Sequence, residues 1–442
     1  MARKRRRSGG GGSVNKKLPL KQSIPLGIQH VLAMFAGNIT VPIIVAGVFG
    51  STTAEKIFLI QMALFAAGVA TIIQTVGIGK VGSRLPIIQG TSFAFIPIML
   101  PFKAIGLGAV FTAAFIGGIF QIWIGRMLKP IRHMFPPLVT GIVVLMIGIS
   151  LLKVGFMYAG GGGWLMNNKP EFFGSGNHLL IAFTVLIVSL IAHQKGKGMV
   201  SSASILLGII AGYIVAMLLG MVNYEKITSA DWFALPMPFQ YGIDFVWGAV
   251  ILMLFMSIVT TIETIGDISA TTMGGANREA TDKELSGGIM ADGLGTSFAS
   301  IFNAMPNTSY SQNAGLVAFT GVISRHVGTV AGVILILLGL FPKLGGIIAA
   351  MPDSVIGGAA IIMFGLIAGA GIKLISKSEM SQRNVLILAL SLSFGIGLYA
   401  FPEFVAHVPD LGIKLGLLLT TGLIPAGLLA FILNATLPIP KK

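Results

Sequence analysis

Apolar runs long enough to cross a lipid bilayer recur along nearly the whole chain, and no stretch between them is large enough to form a separate soluble domain. A helix needs about 20 largely apolar residues to span a hydrocarbon core about 30 Å thick. Windows of that size give segments near 24–46, 57–79, 87–101, 104–125, 136–158, 178–193, 201–222, 244–273, 285–304, 309–322, 326–350, 355–376, 384–401 and 411–435, fourteen in all. Charged residues make up 10% of the chain and hydrophobic ones 54%, whereas an ordinary soluble domain is about a quarter charged. In lipid, every backbone polar group must be satisfied inside a helix or a closed barrel. The apolar residues here run continuously instead of alternating, so helices are expected. The fold class is therefore an all-α polytopic membrane protein.

Of 30 Lys and Arg, five fall in the first thirteen residues, MARKRRRSGGGGS, which read as a basic tag and a Gly/Ser linker and are set aside. Fourteen spans place both ends on one side. With the N-terminus inside, the remaining cations divide eighteen to seven in favour of the inner segments, the bias expected of cytoplasmic loops. This spread along loops, on no single soluble face, speaks against nucleic acid as a partner. The chain has no cysteine and its six histidines show no ligand spacing, so neither a thiolate site, a metal nor another cofactor is expected.

Seven spans per half would make the halves inverted repeats, a common transporter design in which interrupted segments at matching positions mark the binding site. The interrupted segments are the third, LPIIQGTSFAFIP, and the tenth, MPNTSYSQNAG. In both, a Pro precedes polar and small residues and then a short apolar run. They read as two half-helices meeting near the midplane.

Three acids lie well inside apolar segments: Glu263, Asp267 and Asp292. A carboxylate at membrane depth is costly and marks function by default, although it can also serve as an interhelical hydrogen-bonding group. Glu263 and Asp267 sit one helical turn apart on a shared face, so ionising both together is unfavourable and proton-coupled transport is the natural reading. His30, in GIQHVLAMFAGN, is either a packing residue or a hydrogen-bonding, proton-linked group. Segment ten supplies Ser311, Gln312 and Asn313, too polar for a lipid-facing helix and suited to a cavity wall. A side-chain amide such as Gln312 can pair with a flat heterocycle presenting alternating donors and acceptors. Ser92 and Phe93 in segment three supply the opposing wall, Phe93 by stacking.

QNAGLVAFTGVISR, residues 312–325, resembles the signature motif of the nucleobase–ascorbate transporters, the uracil/xanthine permease family, with Gln312, Asn313, Gly315 and Thr320 in its places. IETIGD at 262–267, ADG at 291–293 and GIQH at 27–30 are also similar, and the likeness runs from about residue 24 to 435. The resemblance implies a purine carrier, since Gln312 is like the purine branch. It also implies short strands and half-helices in segments three and ten, and a homodimer. The implied division is a flexible N-terminal arm, 1–23, a core domain, 24–135 and 244–350, and a gate domain, 136–243 and 351–442. By position, Glu263 and Gln312 bind the base and Asn313 tunes specificity. Asp267 and Asp292 serve turnover, and His30 supports the site through hydrogen bonds. Ser92 leaves xanthine and urate both open. The resulting expectation is a proton symporter in the cell membrane with an elevator-like motion. The alternatives are a carrier of uracil or another nucleobase, or a sulfate-permease-like anion transporter of the same fold, which would need cations at the site. No nucleophile or metal constellation suggests an enzyme.

Overall fold

The computed structural model describes residues 13–127, 136–409 and 415–438. Its elements, in chain order, are α1 Leu20–Phe49, α2 Thr53–Val76, β1 Gln89–Thr91, α3 Ile96–Met99, α4 Leu107–Arg126, α5 Pro137–Ala159, α6 Gly176–Lys195, α7 Ser204–Leu218, α8 Trp247–Ala276 and α9 Asp282–Ile301. After these come β2 Asn307–Ser309, α10 Ser311–Thr320, α11 Arg325–Gly339, α12 Asp353–Ile375, α13 Gln382–Ala400 and α14 Leu423–Thr436. Short helical turns such as Gly163–Asn168 fill several connections.

Local chemistry sets where the helices start and stop. α1 ends at Gly50, whose φ of 71° suits a residue without Cβ. α2 and α9 both open on capping boxes, Thr52 with Glu55 and Thr281 with Glu284, each acid returning to the cap's backbone N–H. Among the described residues, eight helices are long and apolar enough to cross a membrane. A ninth span forms if α11 and Pro342–Ala349, bent by 76° at their junction, are taken together. α3, α7, α10 and α14 are too short to meet that test, and α9 is too polar.

The helices pack as antiparallel or crossed pairs: α5 on α12, α4 on α9, α2 on α11, α6 on α7 and α13 on α14. In the first pair, Gly141, Gly148 and Gly155 recur every seventh residue of α5; a Cβ on either of the first two would collide with α12, and one on Gly155 would press on it at 3.3 Å. Small residues let backbones approach closely where lipid tails offer no hydrophobic drive to association.

The arm read over 1–23 falls partly within the described residues. Residues 1–12 lie outside the described residues. From Ser13 the chain is already held, because the Arg325 N–H donates to Val14 O at 2.9 Å and the Ser324 hydroxyl to Lys16 O at 2.6 Å. Regular helix starts at Leu20.

Candidate functional site

The two interrupted segments meet. β1 and β2 pair antiparallel, Gln89 opposite Ser309, Gly90 opposite Thr308 and Thr91 opposite Asn307, and all six residues are buried. Tyr310 N donates to Ile88 O and Ser92 N to Pro306 O, both at 3.0 Å, which extends the ladder at each end. Antiparallel alternation then turns the backbone groups of Gln89, Thr91, Asn307 and Ser309 away from the partner strand. A two-stranded ribbon buried in a helical bundle must find partners for those edge groups.

Side chains supply them. Gln89 N–H donates to Thr71 Oγ1 at 2.9 Å, and the same hydroxyl lies 3.4 Å from Gln89 O. Thr296 treats β2 alike, accepting from Asn307 N at 3.2 Å and donating to Asn307 O at 3.0 Å. Thr91 N–H donates to Asn38 Oδ1, and the Thr91 hydroxyl to Asn38 O, both at 2.8 Å. That carbonyl is available because Pro42, four residues on in α1, has no N–H to claim it. Tyr310 closes the far edge by donating its hydroxyl to Thr91 O at 2.7 Å.

Two of the three acids anchor this ribbon. Asp267 on α8 receives the Ser309 hydroxyl on one oxygen and the Ser311 hydroxyl on the other, both at 2.6 Å. Asp292 on α9, fully buried, receives Gln89 Nε2 and the Thr264 hydroxyl, with Gln74 Nε2 at 3.4 Å. Every one of these donors is neutral. Among the described residues the sole ion pair joins Arg278 of the α8–α9 connection to Glu284 in the first turn of α9.

Asn313 holds His30. Its Nδ2 lies 2.9 Å from both His30 Nδ1 and His30 O. The carbonyl can only accept, so the amide presents its donor here and Nδ1 accepts, leaving the ring proton on Nε2 of a neutral imidazole. Both side chains are buried.

Glu263, Ser311, Gln312 and Gly315 are exposed, and neither the Glu263 nor the Gln312 side chain has a hydrogen bond among the described residues. A Cβ at Gly266 or Gly315 would meet nothing within 4 Å, so this side of α8 and α10 is open. Ser92 is buried and caps the 3-10 turn Phe93–Phe95 through Ala94 N–H at 3.3 Å. Phe93 is partly buried, edge-on to Phe364 of α12 with ring centres 5.5 Å apart. Eight of the nine residues singled out in the sequence thus fall into three groups, the acid-bound ribbon with Ser92 at its end, the His30–Asn313 clasp and the open face, while Phe93 packs against Phe364. Gln74, Thr71, Thr264 and Thr296 escaped sequence reasoning. Gln74 alone carried a signal, a wide amide inside an apolar helix.

The family model Xan_ur_permease, described as a permease family, matches residues 21–404. The chain belongs to this family. The permease is 35% identical over 439 residues to xanthine permease XanP of Escherichia coli, covering 96% of this chain and 94% of that one. It is 34% identical over 420 residues to uric acid permease PucJ of Bacillus subtilis, covering 94% and 93%. In fold, the permease is similar to the transmembrane domain of the cyanobacterial bicarbonate transporter BicA, with a TM-score of 0.59, 14% identity, and coverage of 96% of this chain and all of that one. The family resemblance read from 312–325 is borne out. Its members are permeases, transporters and not enzymes.

Proposed function

We propose that the permease carries a purine nucleobase, xanthine or urate, across the cell membrane in symport with protons. The observation that carries this reading is that an open acid on α8 and an open amide on α10, Glu263 and Gln312, sit on helices that pack together beside a ribbon whose anchoring carboxylates are already engaged. A purine ring offers N–H donors to the carboxylate and both donor and acceptor edges to the amide. Asn313 lies next to Gln312 and sets the rim, Ser311 ties the rim to Asp267, and Ser92 and Phe93 form the opposite wall. Asp267, Asp292 and His30 are the groups for turnover and proton linkage. The names of XanP and PucJ support the substrate class. The bicarbonate transporter shares the fold, but no Lys or Arg donates a hydrogen bond to the site among the described residues, which disfavours an anion carrier.

The elevator reading divides the bundle into a core, α1–α4 with α8–α11, and a gate, α5–α7 with α12–α14. In its favour, the most extensively packed helix pairs all fall inside one group or the other. The parallel roles of Thr71 and Thr296, each clasping the first residue of its strand, support fourteen spans arranged as two inverted sevens. Both ends are then cytoplasmic, and the working unit is a homodimer. Uptake of labelled xanthine and urate, with and without a protonophore, tests the proposal. Uptake abolished by the protonophore and by Glu263→Gln is expected. No purine uptake under a proton gradient would refute it.

A further inference from the structure

The last residue of the 312–325 motif, Arg325, makes no hydrogen bond to the ribbon among the described residues and opens a different feature. It is the first residue of α11 and lines a hollow of about 1220 Å³ at one end of the bundle. The turn between α2 and β1 contributes Lys80 and Arg84 to the same hollow, α4 contributes its final residue Arg126, and the α8–α9 junction contributes Arg278 from the connection and Lys283 from the first turn of α9. Six cations from four separate regions therefore face one space. Their sole acidic companion in the lining, Glu284, is committed to Arg278 through two hydrogen bonds of 2.8 and 2.5 Å.

Among the described residues the remaining five have no counter-ion. Arg84 Nη2 donates to Gly79 O at 3.0 Å and Arg325 Nη1 to Val76 O at 3.2 Å, both neutral acceptors. Arg325 Nε is buried and unpartnered. The side chains of Lys80, Arg126 and Lys283 make no hydrogen bond or ion pair among the described residues. The walls are fixed: Gly82 N–H donates to Gly287 O at 2.7 Å, Arg84 N–H to Gln74 O at 2.9 Å, and the lead-in at Val14 is bound to Arg325 N. A bias of cations toward cytoplasmic loops explains why they lie at this end. It does not explain why they converge on a preformed concavity, where like charges repel and focus a strong positive potential.

We propose that this hollow is a binding site for a phosphate-bearing polyanion, a free polyphosphate group or the headgroup of an anionic lipid. Arg guanidinium forks match phosphate oxygens two at a time, and Lys adds point charge. The volume is ample, since pockets for drug-sized ligands run to about 1,000 Å³.

The test uses the full-length protein and does not depend on transport. Inorganic tripolyphosphate is titrated by microscale thermophoresis in detergent at moderate salt. In parallel, native mass spectrometry compares retention of phosphatidylglycerol with phosphatidylcholine. Two variants carry equal charge loss: Lys80→Gln/Arg126→Gln/Lys283→Gln in the hollow, and Lys195→Gln/Lys197→Gln/Lys377→Gln outside it. The melting temperature of each reports folding. Saturable tripolyphosphate binding, weakened at least tenfold by the first variant and not by the second, establishes the free-phosphate form. Selective phosphatidylglycerol retention lost only in the first variant establishes the headgroup form. Absence of both kinds of binding, or equal loss in the two variants, overturns the proposal.

Discussion

Replacing Thr71 with Val keeps the shape of a fully buried side chain and removes one hydroxyl. That hydroxyl is the acceptor for Gln89 N–H at 2.9 Å, at an edge position where the strand ladder offers no alternative. Orphaning a buried donor costs about 1–3 kcal/mol, which corresponds to roughly a 5- to 150-fold change in an equilibrium constant. The matched control is Thr272→Val, equally buried on α8, whose hydroxyl only donates to Ile268 O and Ser269 O at 3.1 Å. Such back-bonds to helical carbonyls contribute little to stability, so the control should shift it by at most about 0.5 kcal/mol. Apparent melting temperature in detergent and xanthine uptake are measured for both. Thr71→Val should melt lower and transport more slowly, and Thr296→Val, which loses bonds of 3.2 and 3.0 Å to Asn307, should match it. If Thr71→Val behaves like Thr272→Val, the hydroxyl clasp does not hold the ribbon and the reasoning fails.

Gly90→Ala would set a Cβ 2.6 Å from Asn38 Oδ1, an atom fixed by its bond to Thr91, and 2.8 Å from Tyr310 Cε2; expression and thermal stability should both fall. Gly315→Ala meets nothing within 4 Å, so its melting temperature should equal the wild type, and any change in KM for xanthine would report on the open face alone. Asp267→Asn leaves one of two serine hydroxyls without its carboxylate oxygen; a modest stability loss of about 1 kcal/mol with uptake abolished is expected, and normal uptake would remove Asp267 from turnover. Glu263→Gln breaks no internal hydrogen bond among the described residues and should melt like wild type while losing substrate binding by calorimetry.

The sequence showed most where physics forces a local signature. Hydropathy located the long helices, and the polar insertions in LPIIQGTSFAFIP and MPNTSYSQNAG marked the two segments that the structure brings together as β1 and β2. Acids at membrane depth are costly enough to stand out, hence Glu263, Asp267 and Asp292. Pairing partners are a different matter. Thr71, Thr264 and Thr296 are common helix residues with nothing local to separate them from Thr272, and their roles follow from edge groups contributed by distant strands. Burial was also unreadable from spacing: Glu263 and Asp267 share a helix face by periodicity, yet one is exposed and the other buried against Ser309 and Ser311. α9 is a helix of 20 residues but fails as an apolar span, because its Gly, Ser, Thr and Asp side chains face other helices and not lipid.

The ribbon also constrains how the chain can be made. Tyr310 and Thr91, joined by one hydrogen bond, are 219 residues apart. While the ribosome is still adding α4 to α8, the Gln89–Thr91 strand exists without its mate. Asn38 and Thr71 are already synthesised and can shelter part of it. The inner ladder groups of Gly90 stay open until Asn307–Ser309 arrives. Closure of such a distant contact is a late step in folding, and until it happens the first half carries an uncovered strand edge within the translocation machinery, the kind of surface that invites misassembly. Mutations that weaken the ribbon should therefore show first as reduced yield and proteolysis of nascent chains, before any defect in the finished carrier.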